Sequence, residues 1–522
     1  MDFDIIVIGA GLGGLTAAAC ATKNGKKVLV LERNLTPGGS ATSFTRGRFE
    51  FEASLHSLCG YSNTQGVGDV RIIFDELGIS NKIEWCKLPT AFRVITKSKN
   101  GEKIDATLPF GIENFIKSME EYVPESTASL EKLFDVAEDT VDGINHLCST
   151  EEKINMSFAK NLLKEHGNFV RTAPYTVNEV FSALNIPQRA REILSSLWIF
   201  HGVDCDRLSF TEYILTLYNY IQFGGYVPKN RSSEIALTLA NFIEDNGSQM
   251  WLGSEVARII FENNEAKGVI LSNGEKILCN HIIANCSPTF AYSKMMKATD
   301  VPVTATKRSN MRTFGARGAA IYVGLNRSIN DLDITDCNTI ITESADSSVQ
   351  YDLMRTLSSN NMCRVSCLNA INPDASPKGT AILTFTTLFT ENCWANIDPE
   401  NYFEEKDAFA KRIIKLYEDS CGVKISENIE ELEIATPLTF ARYLNTPQGV
   451  IYGYSTDNKD NMLSRFMTEE SDSDTKGLRF CGGFGTQGAG VHSAIASGRN
   501  TCYATLYDIE KEDKGDKKWK IK

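Results

Sequence analysis

The stretch Ile5-Ile6-Val7-Ile8-Gly9-Ala10-Gly11-Leu12-Gly13-Gly14 decides the fold of this chain. Its first four residues form an apolar run of the length of a buried parallel strand. The glycines that follow fit the pattern G-x-G-x-x-G, and residues 15–21 are small residues typical of a closely packed helix. A second apolar run, Val28–Leu31, ends on the acidic residue Glu32. This order predicts a Rossmann-type unit that binds a dinucleotide; a glycine-rich turn without a ligand is the alternative.

The residues of this unit have separate physical tasks. Gly9 allows a tight turn, Gly11 lets a pyrophosphate approach the backbone, and Gly14 lets the helix pack against the strand. The N-terminus of the helix offers unpaired N–H groups and a partial positive charge to the phosphates. Glu32 stands where a carboxylate accepts hydrogen bonds from ribose hydroxyls. The motif alone does not separate FAD from a nicotinamide dinucleotide.

Three further segments bear on the cofactor. Thr36–Ser40 (T-P-G-G-S) follows the second strand, and its paired glycines let backbone N–H groups face a phosphate or ribityl chain. Gly47–His56 (G-R-F-E-F-E-A-S-L-H) comes next. At the far end, Gly477–Gly498 is a strand, a glycine turn and the start of a helix. The N-terminus of that helix would direct its dipole at a flavin, where negative charge develops on reduction.

In these motifs the chain resembles the FAD-dependent family of phytoene desaturases, carotenoid cis–trans isomerases and retinol saturases. The family has an acid after strand two, then P-G-G-S or G-G-R, an aromatic-x-F-D-x-G segment, and a C-terminal G-x-G-V-x-x-A-x-x-S-G. The chain departs from the family at Glu52, usually Asp, and at Ala53, usually Gly. Residues 227–231 also depart from the usual Y-P-x-G-G. The resemblance covers both ends and residues 253–288 well, and the substrate regions poorly.

The motifs and the resemblance together imply a bound FAD. It should be non-covalent, because no His or Cys stands at an obvious flavin-linking position. In the family, the residue that matches Val256 contacts the adenine through its backbone. The residues assigned to the cofactor are Gly9, Gly11, Leu12, Gly13, Gly14, Glu32, Arg33, Gly38, Gly39, Ser40, Val256, Gly482, Gly483, Gly490 and Val491.

The predicted fold class is α/β, with a Rossmann-type FAD-binding domain of the GR2-like flavoprotein fold and a substrate domain of mixed sheet plus helices. We expect residues 1–110, 225–300 and 446–508 to form the discontinuous FAD-binding domain. Residues 111–224 and 301–445 would form the substrate-binding domain. Residues 509–522 are expected to be a flexible tail.

Composition sets further bounds on the chain of 522 residues. The net charge of −12 argues against a nucleic-acid partner. We expect neither a transmembrane helix nor a signal peptide, since no run of eighteen apolar residues exists and the chain opens directly into the first strand. The fourteen cysteines are irregularly spaced, which favours reduced thiols in the cytoplasm. Cys363 and Cys367 lack a second pair, so no metal site is predicted. Residues 517–520 (K-K-W-K) favour a solvated tail, with peripheral membrane contact as the alternative.

The expected activity is that of an FAD-dependent oxidoreductase acting on a carbon–carbon double bond of an apolar polyene, isoprenoid or lipid-like substrate. Saturation, desaturation and cis–trans isomerisation all fit, and the electron donor or acceptor stays open. The alternatives are an amine-oxidase-like flavoenzyme and a flavin-binding protein without turnover. No catalytic residue is identified. His56 and His492 are weak acid/base candidates and His201 a weaker one, although a structural role is more typical of each.

One helix face suggests where an apolar substrate could bind. Phe210, Tyr213, Leu217 and Tyr218 recur at helical spacing. Taken alone, such a face is more often ordinary core packing than a pocket wall. We nevertheless hypothesise an apolar tunnel between residues 111–223 and 300–445 that ends at the flavin.

Overall fold

The computed structural model describes residues 3–64, 66–149, 156–469, 475–485, 488 and 490–514. Within these residues the chain contains both strands and helices, in line with the α/β prediction. The strands are β1 (Ile5–Ile8), β2 (Val28–Leu31), β3 (Ser43–Arg46), β4 (Phe49–Glu52), β5 (Trp85–Lys87), β6 (Phe92–Lys97), β7 (Lys103–Leu108), β8 (Tyr226–Pro228), β9 (Gln249–Trp251), β10 (Val256–Glu262), β11 (Glu265–Leu271), β12 (Lys276–Leu278), β13 (His281–Ala284), β14 (Arg317–Leu325), β15 (Asn338–Ile341), β16 (Cys363–Cys367), β17 (Ala381–Phe389), β18 (Ile429–Ala435) and β19 (Leu478–Phe480).

The helices follow the same chain order. They are α1 (Leu12–Lys23), α2 (Asp69–Leu77), α3 (Ile112–Tyr122), α4 (Thr127–Ser149), α5 (Met156–Glu165), α6 (Gly167–Thr172), α7 (Val177–Ala183), α8 (Gln188–Ser195), α9 (Phe210–Phe223), α10 (Ser233–Asp245), α11 (Pro288–Phe290), α12 (Val303–Met311), α13 (Ser347–Leu353), α14 (Tyr402–Cys421), α15 (Pro437–Leu444), α16 (Met462–Glu469) and α17 (Val491–Lys514).

The N-terminal motif lies in a parallel sheet with the strand order β19-β13-β1-β2-β9. β1 is its centre and pairs in parallel with β2 on one side and β13 on the other. All four residues of β1 and of β2 are buried, which explains why these strands are continuous apolar runs. The predicted Rossmann-type fold is confirmed. The sheet brings β13 and β19, from distant parts of the sequence, beside the glycine turn.

The second large sheet has the order β18-β14-β17-β16-β15-β6-β7. β15 and β6 pair in parallel, and the other neighbours are antiparallel. α14 packs on one face through an apolar cluster that includes Val365 and Phe409. On the other face, residues such as Ile340 and Leu388 join a cluster with α3, α4 and α7–α9, which we call the helical layer.

Two predicted boundaries differ from the structure. β6 and β7 belong to the seven-stranded sheet, so residues 92–108 are part of the sheet assigned to the substrate domain rather than of the FAD-binding domain. Their pairing with β15 joins residues more than two hundred positions apart, which local patterns do not reveal. At the other end, α17 continues through Lys514, so residues 509–514 of the predicted tail are helical. The predicted membrane-contacting residues 517–520 lie outside the described residues.

The aromatic face of α9 packs in the hydrophobic core of the helical layer. Phe210, Tyr213 and Leu217 are buried in the cluster of the helical layer, and the Tyr213 hydroxyl donates to the carbonyl of Leu194 at 2.8 Å. The hypothesis that these three side chains line a tunnel is therefore wrong, and the core interpretation of the same spacing is confirmed. Among the described residues, no helix is long and apolar enough to span a bilayer.

Candidate functional site

The glycine turn between β1 and α1 has the geometry that the motif predicts. Gly9 has a positive φ of 94°. A Cβ on Gly14 would lie 2.1 Å from the carbonyl oxygen of Gly9, so any side chain there would push the helix away from the turn. Gly11 precedes α1 with an extended backbone and no side-chain cap. The N-terminus of α1 thus keeps its backbone N–H groups for another acceptor, as a phosphate site requires.

Glu32 follows β2, is buried, and forms a hydrogen bond with the glycine turn. Its Oε2 accepts a hydrogen bond from the backbone N–H of Ala10, and its Oε1 accepts one from Asn34, both at 2.8 Å. The carboxylate therefore fixes the peptide between Gly9 and Gly11. Each carboxylate oxygen has a second lone pair, so these bonds leave acceptor capacity for a ribose. The ribose contact itself stays a prediction.

The paired glycines after β2 lie directly against the turn. The Gly38 N–H donates to the carbonyl of Ala10 at 2.7 Å. A Cβ on Gly39 would lie 3.2 Å from the Cα of Gly11. Ser40 accepts a hydrogen bond from the Ser54 hydroxyl at 2.7 Å through its carbonyl. These contacts place the three residues on one side of the predicted pyrophosphate site.

Arg33 and Val256 lie on the other side of Glu32. Arg33 donates through Nη2 to the carbonyls of Arg442 at 2.5 Å and Tyr443 at 3.0 Å, so α15 holds its side chain. Val256 begins β10, and two residues earlier the N–H of Ser254 donates to the carbonyl of Glu32 at 2.7 Å. Val256 therefore lies beside the end of β2, as expected if its backbone contacts the adenine.

The C-terminal glycine motif meets the N-terminal one. A Cβ on Gly13 would lie 2.7 Å from the Cα of Gly482, and a Cβ on Gly498 would lie 2.2 Å from the carbonyl of Gly13. Glycines at these positions let α17 and the 482–484 turn approach α1 at backbone distance. Gly483 lies in that turn, and Gly490 and Val491 form the start of α17. Residues 486, 487 and 489 of the motif lie outside the described residues.

Asn285 is a site residue that the sequence interpretation missed. It follows β13 at the edge of the sheet where β1 also ends. Its side chain lies among five glycines of the two motifs, because an added Cβ would fall within 3.7 Å of an Asn285 atom at Gly9, Gly11, Gly13, Gly14 or Gly482. Ligands of open α/β sheets bind outside the carboxyl ends of the strands, which is the signal that could have identified it.

Glu52 is the second missed residue, and it explains one departure from the family pattern. The side chain is buried and accepts hydrogen bonds from the N–H groups of Ser54, Leu55 and Ser232 and from the Ser232 hydroxyl. Burial raises the pKa of this carboxyl, and the four donors oppose that shift. Glu52 thus ties the segment before His56 to the N-terminus of α10.

The three candidate histidines differ in their surroundings. His492 Nε2 lies 3.2 Å from Asp69 Oδ2, and this contact lowers the pKa of Asp69. His56 is buried, and neither of its ring nitrogens has a hydrogen-bond partner. Burial and the charge of Arg364 lower the pKa of His56 to about 3, and burial lowers that of His201 to about 4. His56 and His201 are therefore neutral near pH 7.

The seven-stranded sheet packs on the helical layer, and partly accessible side chains deep in the molecule indicate an internal space in this region. Four side chains lie deep in the molecule and yet keep accessible surface, which marks them as its wall: Cys59, His201, Arg364 and Tyr452. Buried polar atoms without partners occur on the same side of the sheet, at Ser366 Oγ and Thr384 Oγ1. Since buried polar atoms are normally hydrogen-bonded, these orphans and those of His56 fit a polar ligand in the space.

This geometry defines a class of protein, the Rossmann-type oxidoreductases with a second, mixed sheet. Residues 7–76 match the family model described as NAD(P)-binding Rossmann-like domain. A structure of an oxidoreductase from Methanosarcina mazei superposes with a TM-score of 0.63 at 15% identity, covering 96% of this chain and 100% of that one. Putrescine oxidase bound to putrescine superposes with a TM-score of 0.61 at 12% identity, covering 97% and 99%. These likenesses confirm the fold.

Sequence relatives are more specific. The chain is 26% identical over 470 residues to prolycopene isomerase 2 of an Oncidium hybrid cultivar, covering 87% of this chain and 75% of the relative. It is 22% identical over 484 residues to human all-trans-retinol 13,14-reductase, covering 87% and 77%. The chain is thus a homologue of these enzymes, and the resemblance seen in its motifs is confirmed.

Proposed function

We propose that this protein is an FAD-dependent oxidoreductase that acts on a carbon–carbon double bond of an apolar, polyene or isoprenoid-like substrate. The observation that carries the proposal is the close approach of Gly13 to Gly482, which brings the two glycine motifs into one candidate cofactor site. The internal space walled by Cys59, His201, Arg364 and Tyr452 would then hold the substrate. The homology to enzymes named for prolycopene and all-trans-retinol supports a polyene as the substrate class.

The residues present fit FAD. The turn at Gly9–Gly14 and the uncapped start of α1 suit the pyrophosphate, Glu32 has acceptor capacity for the ribose, and the start of α17 suits a flavin that gains negative charge. When bound, the flavin supplies two-electron storage and hydride transfer. The chain's own contribution is position and exclusion of water: buried apolar residues of the helical layer surround the space, and His56 and His201 face the same region as neutral groups.

Saturation, desaturation and isomerisation differ in their electron balance. Saturation of one double bond takes up two electrons and two protons, desaturation releases the same number, and cis–trans isomerisation leaves both unchanged. Among the residues that the structure describes, no group fixes this choice. The three reactions share one requirement, which is an apolar chain held against the flavin in a dry site.

The proposal predicts a yellow protein with one FAD that acid precipitation releases. After reduction by dithionite under nitrogen and removal of the excess reductant, all-trans-retinol or a cis-carotene should be added. Reoxidation of the flavin with loss of a double bond indicates saturation. In a parallel sample that has not been reduced, bleaching of the oxidised flavin under nitrogen indicates desaturation. A change of isomer at constant flavin spectrum indicates isomerisation.

Other results separate the alternatives. Rapid reduction of the flavin by putrescine, with no spectral change from any polyene, would establish an amine-oxidase-like enzyme. A flavin that responds to neither class would indicate a flavin-binding protein without turnover. Release of a nicotinamide dinucleotide in place of FAD would contradict the cofactor assignment.

A further inference from the structure

The internal space contains a guanidinium with no anionic partner. Arg364 lies on β16, and among the described residues it forms no ion pair. Burial lowers the pKa of its guanidinium, and its Nη2 has no hydrogen-bond partner. A buried charge is costly unless it is paired, so an unpaired guanidinium beside a ligand space indicates an anionic ligand group.

The sheet points Arg364 towards the ligand side. Its strand neighbours Cys363 and Val365 belong to the apolar cluster on the α14 face, and side chains alternate along a strand. Arg364 therefore faces the helical layer, directly opposite Thr386 on β17 and Ile340 on β15. The arginine therefore lies on the side of the internal space that the sheet forms.

The guanidinium is fixed in place along one edge. The Nε of Arg364 donates to Asn338 Oδ1 at 2.8 Å. The Cζ of the guanidinium lies 4.9 Å from the ring centre of Phe200. Asn338 is itself held, because its Nδ2 donates to the carbonyl of Ala91 at 2.9 Å and to the Tyr220 hydroxyl at 3.2 Å. This anchoring leaves Nη2 preorganised for an acceptor, and guanidinium forks suit carboxylates in geometry and charge.

We propose that the substrate is an apolar acid and that Arg364 binds its carboxylate. The inference rests on the proposed function and narrows it, since a carotene is a pure hydrocarbon and gives a buried guanidinium nothing to bind. Phe200 and Tyr452 flank the same arginine side and offer apolar surface to the chain next to the carboxylate. Arg364 is thus a specificity-determining residue.

The test compares one apolar chain with three head groups. Linoleate, methyl linoleate and linoleyl alcohol are titrated into the flavin-loaded protein, and the flavin absorbance reports binding. We expect linoleate to bind at least tenfold more tightly than the ester or the alcohol. Arg364→Met should bring linoleate to the affinity of the ester and leave the ester unchanged, and Arg364→Lys should keep part of the preference.

The control is Arg412→Met. Arg412 lies over Phe409 on the opposite face of the same sheet, so its loss should leave all three affinities unchanged. Equal binding of acid and ester in the wild type would overturn the inference while leaving the proposed function intact. An Arg364→Met protein that keeps its flavin and still prefers the acid would overturn it too. Failure of every apolar chain to bind would count against the proposed function itself.

A different observation carries a second inference, at a distance from the motifs described above. His146 on α4, Glu165 at the end of α5 and His166 before α6 bring their ligand atoms within 4.8 Å of one another. His146 Nδ1 lies 3.3 Å from His166 Nε2 and 3.5 Å from Glu165 Oε2. Two ligands of a tetrahedral zinc site, each about 2.0–2.1 Å from the metal, stand about 3.3 Å apart.

Asp139 gives His166 the orientation of a metal ligand. Its Oδ1 lies 3.2 Å from His166 Nδ1, and its Oδ2 accepts hydrogen bonds from the N–H groups of Asn168 and Phe169. Because a carboxylate accepts, the proton of a neutral His166 lies on Nδ1, and Nε2 presents its lone pair to His146 and Glu165. This carboxylate–histidine arrangement is the usual support of a zinc-bound histidine.

We infer that His146, Glu165 and His166 bind a divalent transition-metal ion such as Zn²⁺, with water as a further ligand. This differs from the sequence prediction of no metal site, which considered cysteine spacing alone. Glu165 and His166 are adjacent at the junction of α5 and α6, and the fold brings His146 of α4 to them.

The test uses chelator-treated full-length protein. Isothermal titration with ZnCl₂ should show one site per chain, and Co²⁺ should give the visible absorption of a tetrahedral ion. His166→Gln should weaken binding at least tenfold, Asp139→Asn should weaken it by about tenfold or more, and the exposed neighbour Asp142→Asn should leave it unchanged. No saturable binding, or equal binding by His166→Gln, would show that the three side chains form only a hydrogen-bonded cluster.

Discussion

Gly14→Ala is expected to lower the affinity for FAD by roughly tenfold or more. The added methyl group would lie 2.1 Å from the carbonyl oxygen of Gly9, a backbone atom that cannot rotate away. The turn or α1 must move, and the loss of a single charge-assisted hydrogen bond to the pyrophosphate, about 1.5–3 kcal/mol, already gives this factor. Titration of the flavin-free protein with FAD measures it.

The same substitution should also destabilise the flavin-free protein. Forcing a methyl group into a packed site costs about 1–3 kcal/mol, which the better helix propensity of alanine offsets by up to about 1 kcal/mol. Gly167→Ala is the matched control, because a Cβ there makes only an ordinary contact of 3.5 Å with Arg171. Equal FAD affinities of the two variants would show that the Gly9–Gly14 turn does not hold the cofactor.

The parts of the site that the sequence predicted are those whose contacts are local. Gly9, Gly11 and Gly14 act on one another across a single turn, so their spacing alone specifies the geometry. Glu32 ends the strand that follows, and its bond to Ala10 closes the same small unit. Such motifs have one structural solution, which is why the fold class was predictable from a short stretch.

The parts that the sequence did not predict depend on long-range pairing. Asn285 becomes a site residue because β13 pairs with β1, and Arg364 because β16 places it on the ligand face. The opposite error concerned α9: the helical spacing of Phe210, Tyr213 and Leu217 describes an apolar face without specifying what packs on it. The structure shows core side chains there, whereas the polar side chain of Arg364 lies on strand β16 of the sheet.

Glu32→Ala is expected to have a larger effect than the loss of a ribose contact alone. The buried carboxylate accepts hydrogen bonds from the N–H groups of Ala10 and Asn34, and alanine would leave both donors without partners. An unsatisfied buried donor costs about 1–3 kcal/mol. We therefore expect the free energy of unfolding of the flavin-free variant to be lower than that of the wild type by about 2–4 kcal/mol, as measured by urea denaturation.

The affinity of this variant for FAD should fall roughly a hundredfold, since the turn shifts and the ribose loses its acceptor; one decade corresponds to about 1.4 kcal/mol. Glu32→Gln separates the two causes, because a carboxamide keeps one acceptor oxygen and has no charge. If the main role of Glu32 is to support the turn, the Gln variant should lie between the wild type and the Ala variant in both stability and affinity.

Glu84→Ala, at an exposed glutamate paired with Lys229, is the control and should change neither stability nor affinity. An Ala variant with unchanged FAD affinity would remove Glu32 from the cofactor site, whereas lower stability with unchanged affinity would restrict it to support of the turn.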